Sequence, residues 1–78
     1  MSNVTVEQIL EAIENTSLVS DVMALDSDKP LRDQGIDSLD FSSVLFNIEE
    51  EFGIEIPDAD IDGLQTINQI VTYVNSKP

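Results

Sequence analysis

Apolar positions recur at helical spacing in three stretches of this chain. Val6, Ile9, Leu10 and Ile13 form the first set, with Glu7, Glu11 and Glu14 on the opposite face. Residues three and four apart share one side of a helix, so the pattern predicts an amphipathic helix over about 5–16. Thr5 and Gln8 have the spacing of a capping box at its start. Phe41, Val44, Leu45, Ile48 and Phe52 form the second set. At about 100° per residue these five fall within a stripe roughly 100° wide, a good core face. Asp37 or Ser38 can cap this helix, Asp40 in its first turn suits the positive end of the helix dipole, and Gly53 ends it. Ile67, Ile70, Val71 and Val74 form the third set, behind a second capping box, Thr66-Ile67-Asn68-Gln69. This predicts a last helix over 66–76.

Between these helices the period is lost. Residues 17–36 are punctuated by Pro30 and Gly35 but carry Leu18, Val19, Val22, Met23, Leu25, Leu31 and Ile36. A connection this long and this apolar is expected to pack down on the core, with room for a short helical turn. Ile54-Glu55-Ile56 is too short to assign as a strand. Pro57 suits the first position of a short helix, with Ala59 and Ile61 as its apolar contacts and Gly63 as its end. The expectation is an all-α fold: a small four-helix bundle of three main helices and one short one, a long loop between the first and second, in one domain over 1–78.

Composition narrows the chemistry. At 78 residues the chain is near the lower limit for a self-sufficient core. It has no Cys and no His, which excludes disulfide staples, the usual zinc sites and His-based acid–base catalysis. Asp and Glu number 16 against 3 Lys and Arg, a formal net charge of -13. The three cations are Lys29, Arg32 and Lys77. Such a surface repels nucleic acid and anionic membranes and attracts basic protein surfaces in a salt-dependent way. The plain alternative is that the acidity only keeps a small domain in solution. With no basic leader and no run of about 18 apolar residues, the expectation is a cytoplasmic protein that does not insert into membranes.

Ser38 beside Asp37 is the candidate nucleophile, but no base is available to it. Asp37 and Asp40 are paired carboxylates without an evident substrate cleft, so no enzymatic activity is expected. Asp58-Ala59-Asp60-Ile61-Asp62-Gly63 has the opening rhythm of an EF-hand loop, yet its twelfth position is Gln69 where a bidentate Glu belongs. No dedicated metal site is expected, only weak divalent-cation binding. Leu39 and Phe46 fall opposite the core stripe of the second helix, beside Ser43, Asn47 and Glu50. Two large apolar residues there suggest a docking patch rimmed by acids, unless the long loop covers Phe46.

Gly35-Ile36-Asp37-Ser38-Leu39-Asp40 resembles the attachment motif of acyl carrier proteins. It opens an amphipathic helix that closes Ile48-Glu49-Glu50-Glu51-Phe52-Gly53, and Ile54-Glu55-Ile56-Pro57-Asp58 and the last helix with Tyr73 also resemble the family. The resemblance covers essentially the whole chain. It implies a non-enzymatic carrier in which a phosphopantetheinyl transferase attaches the 4′-phosphopantetheine arm of coenzyme A to Ser38, flanked by Asp37 and Leu39. Without the surrounding match Ser38 would read as a helix cap. The resemblance further implies a monomer whose partners, acyl-transfer and chain-elongation enzymes with basic docking surfaces, meet Asp37, Leu39, Asp40, Ser43, Phe46, Asn47, Glu49 and Glu50. It implies an acyl pocket near Phe41, Leu45, Ile48, Ala59 and Ile61. Fatty-acid members usually have an acid where this chain has Ser43, Met and Ala where it has Phe46 and Asn47, and a small residue where it has Phe41. These departures leave a dedicated polyketide or lipid-modification pathway open beside fatty-acid synthesis. An aminoacyl carrier of D-alanyl or peptidyl type is the alternative among carriers. An acidic protein-interaction or cation-binding module is the alternative outside them.

Overall fold

Helical periodicity translates directly into the architecture of the computed structural model, which describes residues 3–17, 19 and 21–77. Four α-helices follow in order: α1 Val6–Asn15, α2 Ser38–Phe52, α3 Asp58–Ile61 and α4 Ile67–Ser76. No strand occurs among the described residues. Both capping boxes form: the Gln8 and Gln69 amides donate to Thr5 and Thr66 Oγ1, and each Gln side chain accepts the cap residue's own N–H. Each box satisfies two amides that a helix start leaves without partners.

α1 packs against both α2 and α4. Ile9, Ile13, Val44, Ile48, Ile67 and Ile70 are fully enclosed between them, and the core contains no buried polar or charged residue. Val6, Phe41, Phe52 and Val71 are only partly buried at its margin.

The 17–36 connection is packed down as its apolar content predicts. It contains two short 3-10 turns, Val22–Ala24 and Leu31–Gln34. Val22, Leu31 and Ile36 are buried, and Val19 and Leu25 pack against the core. Met23 departs from the expectation and is 76% exposed, because the turn that buries Val22 points its neighbour outward. Leu18 lies outside the described residues. Backbone bonds lace this loop to the entry and first turn of α4: Leu31 N–H donates to Gln65 O (2.8 Å) and Asn68 N–H to Ser27 O (3.1 Å). The Gln34 side chain accepts from Asp26 N–H and donates to the Asp26, Lys29 and Pro30 carbonyls. One amide side chain thus replaces the regular hydrogen bonding the loop lacks.

The short helix differs from its expectation in two details. Pro57 stands just before α3 as its cap residue, with φ −64° already suited to the entry. Ala59 is exposed and α3 has no buried residue, since a single turn offers only one side to the core and Ile61 occupies it. α3 is instead tied to α4 by Tyr73, whose hydroxyl donates to Asp60 Oδ2 at 2.6 Å.

Candidate functional site

The site begins with Gly35, which occupies left-handed backbone at φ 93°. A Cβ there would meet nothing within 4 Å, so the constraint is conformational. Only glycine visits this region freely; other residues pay about 1 kcal/mol or more. Its turn closes the second 3-10 segment, through Gly35 N–H to Leu31 O, and the next residue, Ile36, is driven into the core. Asp37 then emerges at the start of α2.

Of the two capping candidates, Asp37 takes the role. Its Oδ1 accepts Asp40 N–H at 2.9 Å, and its carbonyl accepts Phe41 N–H at 2.8 Å. Ser38 is therefore the first helical residue, exposed, with its hydroxyl not used in capping. Ser42 and Ser43 bond back to the Ser38 and Leu39 carbonyls at 3.1 and 3.4 Å. A hydroxyl at the first helical position, beside N–H groups with no helical acceptor, is well placed to bear an anionic substituent.

A cleft of about 550 Å³ opens beside Ser38. Ile36, Phe41 and Ile61 form its apolar walls, and Arg32, Asp37, Ser42, Asp62 and Gln65 its polar rim. The residues expected to form an acyl pocket are thus divided. Phe41 and Ile61 line the cleft that Ser38 shares. Leu45 and Ile48 face the helix interface and are buried in the core. Ala59 borders a separate depression of about 630 Å³ between α3 and α4, with Tyr73 and Thr72.

The outward face of α2 is also divided. Leu39 is 80% and Phe46 63% exposed, so the long loop covers neither. Leu39, Ser43, Phe46 and Glu50 follow one another at four- and three-residue steps along that face, with Asp37 exposed at its head and Asp40 partly so. Asn47 and Glu49 turn inward instead. Asn47 Nδ2 donates to Ala12 O at 2.6 Å, and Glu49 Oε2 accepts Ile56 N–H at 2.8 Å. Both bind backbone groups on other segments, one near the end of α1 and one after α2. Asn47→Ala is therefore expected to cost about 1–2 kcal/mol of stability. A urea midpoint unchanged from the parent would show that the bond contributes nothing.

Arg32 was not connected to Ser38 by sequence spacing. The turn at Gly35 brings it to the same cleft. Its signal in the sequence is being the last cation before a run that contains none from Asp33 to Ser76. The Asp58–Asp62 acids do not assemble a cation site: Asp58–Ile61 is helical and Asp60 is bound to Tyr73. Among the described residues no group of three or more Asp, Glu, His or Cys could hold a metal ion. No described helix is long and apolar enough to cross a membrane.

Comparison with known proteins bears on the same segment. A family model described as the phosphopantetheine attachment site matches residues 5–74. An acyl carrier protein of Campylobacter hominis is 41% identical over 64 residues, 82% of this chain and 80% of the relative. One of Lactobacillus johnsonii is 35% identical over 78 residues, 92% of this chain and 95% of the relative. One of Thermosynechococcus vestitus is 33% identical over 76 residues, covering 90% and 91%.

Proposed function

The chain belongs to the acyl carrier protein family, and from that membership we propose that Ser38 accepts the 4′-phosphopantetheine arm and that the loaded protein delivers acyl groups to enzymes of acyl-chain synthesis. Its members are carriers, not enzymes. When bound, the arm supplies the thiol on which acyl groups are held as thioesters, a group this Cys-free chain lacks.

The observation that carries the reading is the relief of Ser38 from capping. Asp37 supplies the cap, leaving an exposed hydroxyl at the first position of a 15-residue helix. The residues around it fit a linear substituent of mixed polarity. The cleft offers a polar rim at Ser38 and apolar walls at Phe41 and Ile61. The test is intact mass after incubation with coenzyme A and a broad-specificity phosphopantetheinyl transferase. One phosphopantetheinyl adduct per chain is expected, and no adduct would sink the proposal. The protein would act in the cytoplasm as a monomer.

Acyl cargo is favoured over aminoacyl cargo by the apolar walls, and by the name of the relatives. Within acyl carriers, Phe41 favours a specialised pathway over housekeeping fatty-acid synthesis, because its ring forms one wall of the cleft that Ser38 shares. Phe41→Ala should open room for a long acyl chain. Sheltering two further methylenes at about 0.8 kcal/mol each would slow thioester hydrolysis about tenfold. Equal hydrolysis of the long-chain thioester in both proteins would refute this role for Phe41.

A further inference from the structure

Arg32 is the one cation on the cleft that holds Ser38. The remaining charged residues of its rim are Asp37 and Asp62, and Asp40 lies one turn along α2. A phosphodiester on Ser38 would add another negative charge to this group. Like charges this close repel, and the helix start compensates only in part, because the Asp40 N–H is already taken by Asp37. The Arg32 backbone is held in place from both sides. Leu31 is buried and bonded to Gln65 O, Asp33 N–H donates to Pro30 O, and the Gln34 amide binds three carbonyls of the preceding loop. Its side chain is exposed to the cleft, and among the described residues no ion pair engages it.

We infer that Arg32 is a positioning residue for the arm: its guanidinium binds the phosphodiester on Ser38 and lays the first segment of the arm along the cleft rather than outward over α2. Guanidinium is suited to this, since its fork of N–H donors matches two phosphate oxygens at once. The inference rests on Ser38 being the attachment site.

The experiment uses the holo protein and reads the phosphodiester directly by phosphorus NMR. Salt is raised from about 0.01 M to about 1 M, over which the screening length falls from about 30 Å to about 3 Å. The parent signal should move with salt from a bound position toward the free position, that of the same phosphodiester in the urea-unfolded holo protein. Arg32→Gln should start at the free position and stay there, while Arg32→Lys keeps part of the response. Lys29→Gln removes the same charge from outside the cleft and should behave as the parent. The Arg32 Nε–H cross-peak should shift between apo and holo forms. If Arg32→Gln matches the parent, or Lys29→Gln loses the response equally, the inference is overturned. Failure of the parent to take up any arm would instead overturn the assignment of Ser38, so the two failures are distinguishable.

Discussion

Ser38→Ala is expected to abolish uptake of the arm completely while leaving the fold intact. The intact mass of the variant should not change after incubation with coenzyme A and transferase, where the parent gains one adduct per chain. The two effects separate because the helix cap is on the neighbouring residue. Asp37 Oδ1 holds Asp40 N–H at 2.9 Å, so deleting the serine hydroxyl removes no hydrogen bond that starts α2. Alanine is also a good helix former at an exposed first position. The urea midpoint of Ser38→Ala should therefore lie within about 0.5 kcal/mol of the parent, whereas Asp37→Ala should lose about 1 kcal/mol. Ser42→Ala and Ser43→Ala serve as controls. Both hydroxyls are committed to backbone carbonyls one turn back, so both variants should still accept one arm. An adduct that survives Ser38→Ala would sink the assignment.

The contrast between Ser38 and its neighbours shows which parts of the site were legible in the sequence. Helix boundaries were readable because each is fixed by short-range chemistry: a Thr and a Gln three residues apart at two helix starts, Gly53 at the end of α2. The core stripe was readable because periodicity directly states which side of a helix is apolar. Side-chain partners across the fold were not. Asn47 and Glu49 stand at positions that a helical wheel assigns to the surface, yet each reaches a backbone group on another segment. Ala59 looked like a core contact on composition, but one turn of helix cannot bury two of its sides. The placement of Arg32 beside Ser38 depends on a single left-handed glycine and on a loop held by Gln34. No sequence period encodes either. Choosing between Asp37 and Ser38 as cap required backbone geometry, and that choice is what frees the serine.

Docking of partner enzymes should depend most on Leu39 and Phe46. Both are large, apolar and well exposed. They sit seven residues apart on one face of α2, two turns along the helix, with Asp37, Asp40 and Glu50 around them. An apolar anchor ringed by charge is the usual composition of an interface centre, and truncating such an anchor costs about 2 kcal/mol or more. Phe46→Ala or Leu39→Ala should raise the transferase KM for the apo protein by about 30-fold. Stability should stay within about 0.5 kcal/mol of the parent, because solvent already reaches both side chains. The acids should act differently. Asp40→Asn and Glu50→Gln should lower the association rate and reduce its salt dependence, since long-range charge steers encounter more than it holds the complex. Asn47→Ala should lower stability and leave KM nearly unchanged at temperatures where the variant is folded, because its amide binds Ala12 O rather than solvent. The decisive comparison is Phe46→Ala against Asn47→Ala, adjacent residues on one helix. If both raise KM alike, or neither does, α2 does not present the divided face described here. If Phe46→Ala alone raises KM, the docking surface runs along the line from Leu39 to Glu50, and Asn47 belongs to the scaffold that holds it against α1.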